Sequence, residues 1–142
     1  MTPREECEIL LDALLSTAER LLRKNGEFYP IGATLTAEDE VSFSAASYDD
    51  DDYPESQRVM NDLILSHREL AAQQHIKASG IAFNAAVAAP DGAESAAILI
   101  TLEHASGYAV MVGAPDAADD SGEITLGELF AQRSPQRVFS QE

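Results

Sequence analysis

Histidine and cysteine are the residue types in this sequence best suited to chemistry, and there are few of them. The chain has one cysteine, Cys7, and three histidines, His67, His75 and His104. An imidazole can serve as a general base, a pH sensor or a metal ligand, and a thiolate can serve as a nucleophile. The histidines stand eight and 29 residues apart, which fits no local zinc-binding pattern. We therefore expect no metal and no cofactor.

Two of these residues fall on the apolar faces of predicted helices. Cys7 shares a face with Leu10 and Leu14, which favours a small buried hydrophobic residue over a nucleophile. His67 lies one turn from Leu63, so the default interpretation is a histidine satisfied within the core. The alternative is a histidine that contacts a ligand or senses pH.

Residues 26–33, Gly-Glu-Phe-Tyr-Pro-Ile-Gly-Ala, are the most distinctive local sequence. Phe28 and Tyr29 are adjacent, so in a strand one points into the core and the other is more exposed. Gly32 indicates a close approach of the backbone to a neighbour. With His67, these two aromatic residues mark a candidate small-molecule pocket, to which His104 could also contribute.

Two clusters of acidic residues could attract a cation or a basic protein. The run from Asp49 to Asp52 precedes a predicted helix, where carboxylates meet the positive end of the helix dipole. The second cluster has no evident structural task. Neither cluster has the interleaved spacing and glycine of a calcium loop. We expect partner contacts first in the second cluster, which consists of Asp116, Asp119, Asp120 and Glu123.

Net charge excludes several classes of partner. The chain has 25 Asp and Glu against nine Lys and Arg, a formal net charge of −16. Such a field repels nucleic acids and anionic membrane surfaces, so we expect neither as a partner. It favours encounter with a basic protein, and solubility alone is the simpler explanation.

The hydrophobic pattern predicts a single α+β domain over residues 1–142. Helices are predicted at 2–25 and 53–77, each opened by a capping box, Thr2 with Glu5 and Asp52 with Glu55. Val41, Phe43 and Ala45 alternate with polar or small residues, as in a strand with one face buried. The predicted order is α-β-β-α-β-β-β, with a mostly antiparallel sheet that carries the helices on one face. Strands are predicted at 27–36, 40–48, 81–89, 96–103, 108–114 and 124–126, followed by a brief helix at 127–130 and a loosely ordered tail at 134–142.

The chain resembles a family of small uncharacterised bacterial proteins that share a Gly-Glu-Phe-Tyr-Pro-Phe-Gly-Ala segment. Similar segments follow at residues 53–57, 80–84 and 102–108. Ile31 departs from the aromatic residue usual in that family. The resemblance implies a bacterial, cytosolic protein and no particular activity. The N-terminus also lacks the pattern of a signal peptide, so we expect a cytoplasmic protein.

These observations leave two hypotheses for function. The first is a non-enzymatic acidic interaction domain, such as an immunity-type protein that neutralises a basic partner. A second apolar stripe on the second predicted helix, formed by Leu65, Ala72 and Ile76, suggests a contact with either the first helix or a second subunit, the latter giving a homodimer. The alternative is a small-molecule binding domain or an unfamiliar enzyme at Phe28, Tyr29 and His67. No phosphate loop, nucleophile elbow or nucleotide motif is present, which weighs against an enzyme.

Overall fold

The chain folds into two helices and a sheet of seven strands in the computed structural model, which describes residues 2–25, 28–44, 56–88, 94–118, 124–126 and 129–139. The order of elements confirms the predicted α+β fold. The elements are α1 (Pro3–Asn25), β1 (Ile31–Thr36), β2 (Val41–Ser44), α2 (Ser56–Ala72), β3 (Ile76–Ala88), β4 (Glu94–His104), β5 (Ala109–Ala118), β6 (Ile124–Leu126) and β7 (Phe130–Arg133).

The sheet is antiparallel, and its main path runs β2-β1-β3-β4-β5. The other two strands both pair with β5. β6 pairs with the end of β5 at Asp116–Ala118, and β7 pairs with its beginning, from Val110 to Gly113. The long β3–β4 pair therefore lies near the centre, and β2 is an edge strand.

Local sequence sets the start and the buried face of α1. Thr2 Oγ1 accepts a hydrogen bond from the Glu5 backbone N–H at 3.2 Å, and the Glu5 carboxylate accepts one from the Thr2 N–H at 3.4 Å. This is the predicted capping box, which satisfies two N–H groups at the helix start. The buried stripe of α1 recurs at helical spacing and packs on the sheet. It consists of Cys7, Leu10, Leu14, Ala18 and Leu22.

The two helices lie on opposite faces of the sheet, which corrects the expectation of helices on one face. Ala33 and Gly80 are cross-strand partners that face α1, because a Cβ placed on Gly80 would lie 2.7 Å from Leu14 Cδ1. Their neighbours Gly32 and Ile81 point the other way and contact α2. Since side chains alternate along a strand, the central strands present an apolar residue to each helix.

α2 ends earlier than predicted. The His75 N–H donates to the Leu70 carbonyl at 3.0 Å, and Gln74 has a φ of 60°. A left-handed residue after the last turn, with this hydrogen bond, is the usual way to close a helix. Ile76 then begins β3 and is 6% exposed, so its apolar character belongs to the sheet and not to a second stripe on α2.

Two further expectations are corrected at the sheet edges. Val41 and Phe43, predicted to be buried, are 36% and 56% exposed, because α1 packs over β1, β3 and β4 and leaves the edge strand uncovered. Phe130 begins a strand where a brief helix was predicted. The predicted cap at Asp52 and Glu55 and the position of Ala45 lie outside the described residues. No helix in the described ranges is long and apolar enough to cross a membrane.

Candidate functional site

The structure separates the three residues proposed for a small-molecule pocket. Phe28 is half-buried and packs on the core under α1, and Tyr29 is 44% exposed, as predicted, although both precede β1, which begins at Ile31 and not at residue 27. His67 belongs to α2 and is completely buried where this helix packs on the other face of the sheet. The two faces are divided by the sheet itself, so Phe28 and His67 do not line one cavity.

The acidic cluster proposed for partner contacts is described at one position only. Asp116 lies in β5, opposite Leu126 of β6, which fixes its backbone in the sheet. Asp119, Asp120 and Glu123 lie outside the described residues. Among the residues that the structure does describe, no group of three or more His, Cys, Asp or Glu side chains could hold a metal ion.

His67 ties α2 to two strands through both ring nitrogens. Nδ1 lies 2.7 Å from Ser79 Oγ on β3, and Nε2 lies 3.1 Å from Ser44 Oγ on β2. The ring fits because Gly32 has no side chain: a Cβ there would lie 2.8 Å from His67 Cε1 and 2.9 Å from Nε2. The close backbone approach predicted at Gly32 is therefore confirmed, and its neighbour is His67.

A hydroxyl beside an imidazole resembles the first two members of a catalytic serine triad. In such triads a carboxylate bonded to Nδ1 stabilises the imidazolium that forms during reaction. Here Nδ1 meets the Ser79 hydroxyl, and burial lowers the pKa of His67 to about 4. Because the charged ring is disfavoured and lacks a carboxylate partner, the geometry favours a structural tie over a general base.

Cys7 is 1% exposed, as predicted for a small hydrophobic residue. Burial raises the pKa of its thiol to about 12, and the carboxylates of Glu6 and Glu103 add to the effect. A thiolate is the reactive form of cysteine. This thiol therefore stays protonated and unreactive at neutral pH.

A polar chain crosses one end of the molecule from α1 to the β1–β2 turn. The carboxylate of Glu6, only 8% exposed, accepts from His104 Nε2 at 3.0 Å and bonds Lys77 Nζ at 3.2 Å. Lys77 also pairs with Asp39, and this contact lowers the pKa of Asp39 and raises that of Lys77. His104 Nδ1 accepts from the Ser106 N–H, so the ring is the tautomer that carries its proton on Nε2. Each member has a partner, and the hydrogen bond between Glu6 and His104 satisfies the two buried members, as expected in a structural network.

Glu103 holds the C-terminal segment against the sheet. Its Oε1 accepts from the backbone N–H groups of Arg137 at 2.7 Å, Val138 at 2.9 Å and Phe139 at 3.4 Å. Successive N–H groups that converge on one oxygen form an anion-binding nest, here filled by a carboxylate of the same chain. Val138 is 4% exposed, so part of the predicted tail packs on the domain.

An open groove of about 740 Å³ lies between the end of α2 and this C-terminal segment. Its walls are mostly apolar and include Ile76, Val138 and Phe139, together with the polar Lys77. None of Phe28, Tyr29 and His67 lines it.

The outer edge of β2 presents two large apolar side chains to solvent. No other described strand pairs with this edge. Phe43 and Val41 project from it, and Glu38 and Glu40 are exposed just before the strand. Sequence reasoning missed this site because the alternating pattern of residues 41–45 also fits a buried face. The available signal was the neighbouring acidic sequence, which is typical of a solvated edge.

Comparison with known proteins adds no family to this picture: no family model, no curated protein and no solved structure matches the chain.

Proposed function

We propose that this protein is a non-enzymatic interaction domain that binds a basic protein partner through the outer edge of β2. The observation that carries the proposal is the exposure of Phe43, at 56%, on a strand whose outer edge no other described strand occupies. Unpaired strand edges are templates for another strand, and natural proteins usually cover, shorten or charge them. An edge that also presents a large aromatic side chain suits the addition of a partner's strand.

Charge indicates the kind of partner. Between Lys24 and Arg58 the chain has nine acidic residues and no Lys or Arg, and β2 lies within this stretch. Of these acids, the structure describes Glu38 and Glu40 as exposed in the segment that leads into β2, so an approaching cationic protein would meet negative charge beside this strand. An immunity-type protein that neutralises a basic toxin is one concrete form of this function.

A second copy of the chain fits the edge less well. Pairing of two β2 strands would bring no cation to the exposed Glu40 of either copy, because Val41–Ser44 contains no Lys or Arg. The helix stripe that suggested a homodimer also loses Ile76, which is buried in β3, and keeps an exposed Leu65 and Ala72. A basic partner is therefore favoured over a homodimer.

The alternative function, a small-molecule site or unfamiliar enzyme at Phe28, Tyr29 and His67, has weaker support. His67 is completely buried, its ring nitrogens are both bonded to serine hydroxyls, and Phe28 belongs to the opposite face. A ligand at His67 would have to displace α2 from the sheet.

Selection of random peptides displayed on phage tests the proposed function. We expect the immobilised protein to enrich peptides rich in Lys and Arg, whose binding weakens as added salt screens the charges. The enriched peptides should bind Phe43→Ser poorly, because this substitution removes the exposed aromatic contact.

Leu65→Ser provides the matched control. Leu65 is also a large exposed apolar residue, at 62%, but it lies on α2. Both variants should fold with a stability within about 0.5 kcal/mol of the wild type, since substitutions at exposed sites are usually mild. Enrichment of peptides without cationic bias, or equal loss of binding in the two variants, would overturn the proposal.

A further inference from the structure

The strand register shows which residues of β2 direct their backbone N–H and C=O groups towards its outer edge. The Thr36 N–H donates to the Glu40 carbonyl at 2.8 Å, and the same register continues along the two strands as Leu35 with Val41, Thr34 with Ser42 and Ala33 with Phe43. In an antiparallel pair, opposed residues alternate between those that exchange hydrogen bonds and those that do not. Thr36 with Glu40 and Thr34 with Ser42 belong to the bonded class. The N–H and C=O groups of Val41 and Phe43 therefore point away from β1, towards the outer edge.

The same two residues carry the exposed apolar side chains. Val41 and Phe43 lie opposite Leu35 and Ala33, on the face of the sheet that α1 covers further in. A strand added at the outer edge would place the residues that pair with Val41 and Phe43 on this face, within contact distance of both side chains. The intervening residues of the added strand would lie on the opposite face, with Ser42 and Glu40.

Each face favours a different residue type in the added strand. Apolar residues beside Val41 and Phe43 would cover side chains that are now exposed to water. On the other face, Lys or Arg would approach Glu40, an exposed carboxylate at the start of the strand. Proline is disfavoured at the pairing positions because it lacks the N–H group that such a strand donates.

We infer that the partner contributes an extended segment in which apolar residues alternate with Lys or Arg, and that this segment pairs with the backbone of Val41 and Phe43. The inference rests on the proposed function and specifies its ligand. A second copy of this chain does not meet the requirement, because its own β2 follows the acidic residues Glu38, Asp39 and Glu40.

Three synthetic peptides of one length test the inference by isothermal titration. The first alternates valine with lysine, the second has the same composition with all lysines before all valines, and the third is the first with N-methyl groups on the amides that would pair with β2. We expect the alternating peptide to bind at least about tenfold more tightly than the other two. It should also bind Leu65→Ser as it binds the wild type, and Phe43→Ser at least about tenfold more weakly.

Each other result has a distinct meaning. Equal binding of the three peptides would overturn the inference and leave the proposed function in place, since charge alone would then explain recognition. Failure of all three to bind would overturn both. A wild-type protein that is dimeric by light scattering, and that Phe43→Ser makes monomeric, would assign the edge to a second copy and contradict the inference.

Discussion

His67 stabilises the contact between α2 and the sheet only while its ring is neutral. Both of its nitrogens meet serine hydroxyls, and the ring has no exposed surface through which water could solvate a positive charge. Burial accordingly lowers the pKa to about 4 in the folded protein, from 6.5 for a histidine in an unfolded chain. The unfolded state therefore binds a proton more readily than the folded state between these two values.

This difference predicts a loss of stability in mild acid. Well above pH 6.5 the ring is neutral in both states and has no pH-dependent effect. As the pH falls from 6.5 towards 4, the free energy of unfolding should decrease by up to roughly 3 kcal/mol from this residue alone. Urea denaturation of the wild type and of His67→Gln over this range measures the effect as the difference between their pH dependences.

His75→Gln is the control for that experiment, because His75 is exposed. It should keep the wild-type pH dependence, including whatever the many carboxylates contribute. Parallel stability curves for the wild type and His67→Gln would show that the buried ring does not titrate as described.

At the residue scale, the sequence predicts whether a side chain is buried better than it predicts which side chains form hydrogen bonds with it. Cys7 and His67 lie on buried helix faces as expected, because helical periodicity identifies the apolar face. The partners of His67, Ser44 and Ser79, are 23 and 12 residues away along the chain. Such pairings depend on strand register, which a single sequence does not specify in advance.

The strands and the C-terminal segment show where element-scale prediction succeeds and fails. Continuous or alternating apolar runs in the sequence predict β3, β4 and β5. The alternation in β2 also predicts a strand, but its apolar side is exposed and its polar side, at Ser44, is bonded to His67. Alternation defines two faces of a strand without stating which one a helix covers, and an edge strand can lie beyond the reach of that helix.

The C-terminal segment provides an element-scale prediction. Glu103→Gln replaces a charged acceptor of three backbone N–H groups by a neutral amide, and hydrogen bonds to charged groups are each worth about 1.5–3 kcal/mol. We expect the amides of Arg137 and Val138 to exchange with deuterium at least about tenfold faster, while the β3 amides stay protected. Hydrogen exchange followed by NMR measures both groups of amides in one experiment.

Glu38→Gln controls for the loss of one negative charge, since Glu38 is exposed in the β1–β2 turn. It should leave the exchange rates of Arg137 and Val138 as they are in the wild type. If Glu103→Gln behaved in the same way, the nest at the C-terminal segment would contribute nothing to holding it.

At the scale of the whole molecule, net charge has two distinguishable roles. Part of it belongs to structure: Glu6 and Asp39 pair with Lys77, and Glu103 holds the C-terminal segment. The other negative charges include those of Glu38 and Glu40, which are exposed beside the open edge of β2, where we propose that a partner binds. Composition indicates that a protein partner would be basic, and the open edge of β2 is the place where we propose that it binds.

The central claim is that a cationic, extended segment binds at β2, and an NMR titration of the isotopically labelled protein with the alternating valine-lysine peptide tests it most directly. We predict that the largest shifts of backbone amide signals fall at Val41–Ser44 and the adjoining turn at residues 37–40, with Leu65 unaffected. Shifts centred on α2 or on the acidic segment 116–123, with the amides of Val41 and Phe43 unchanged, would contradict the account.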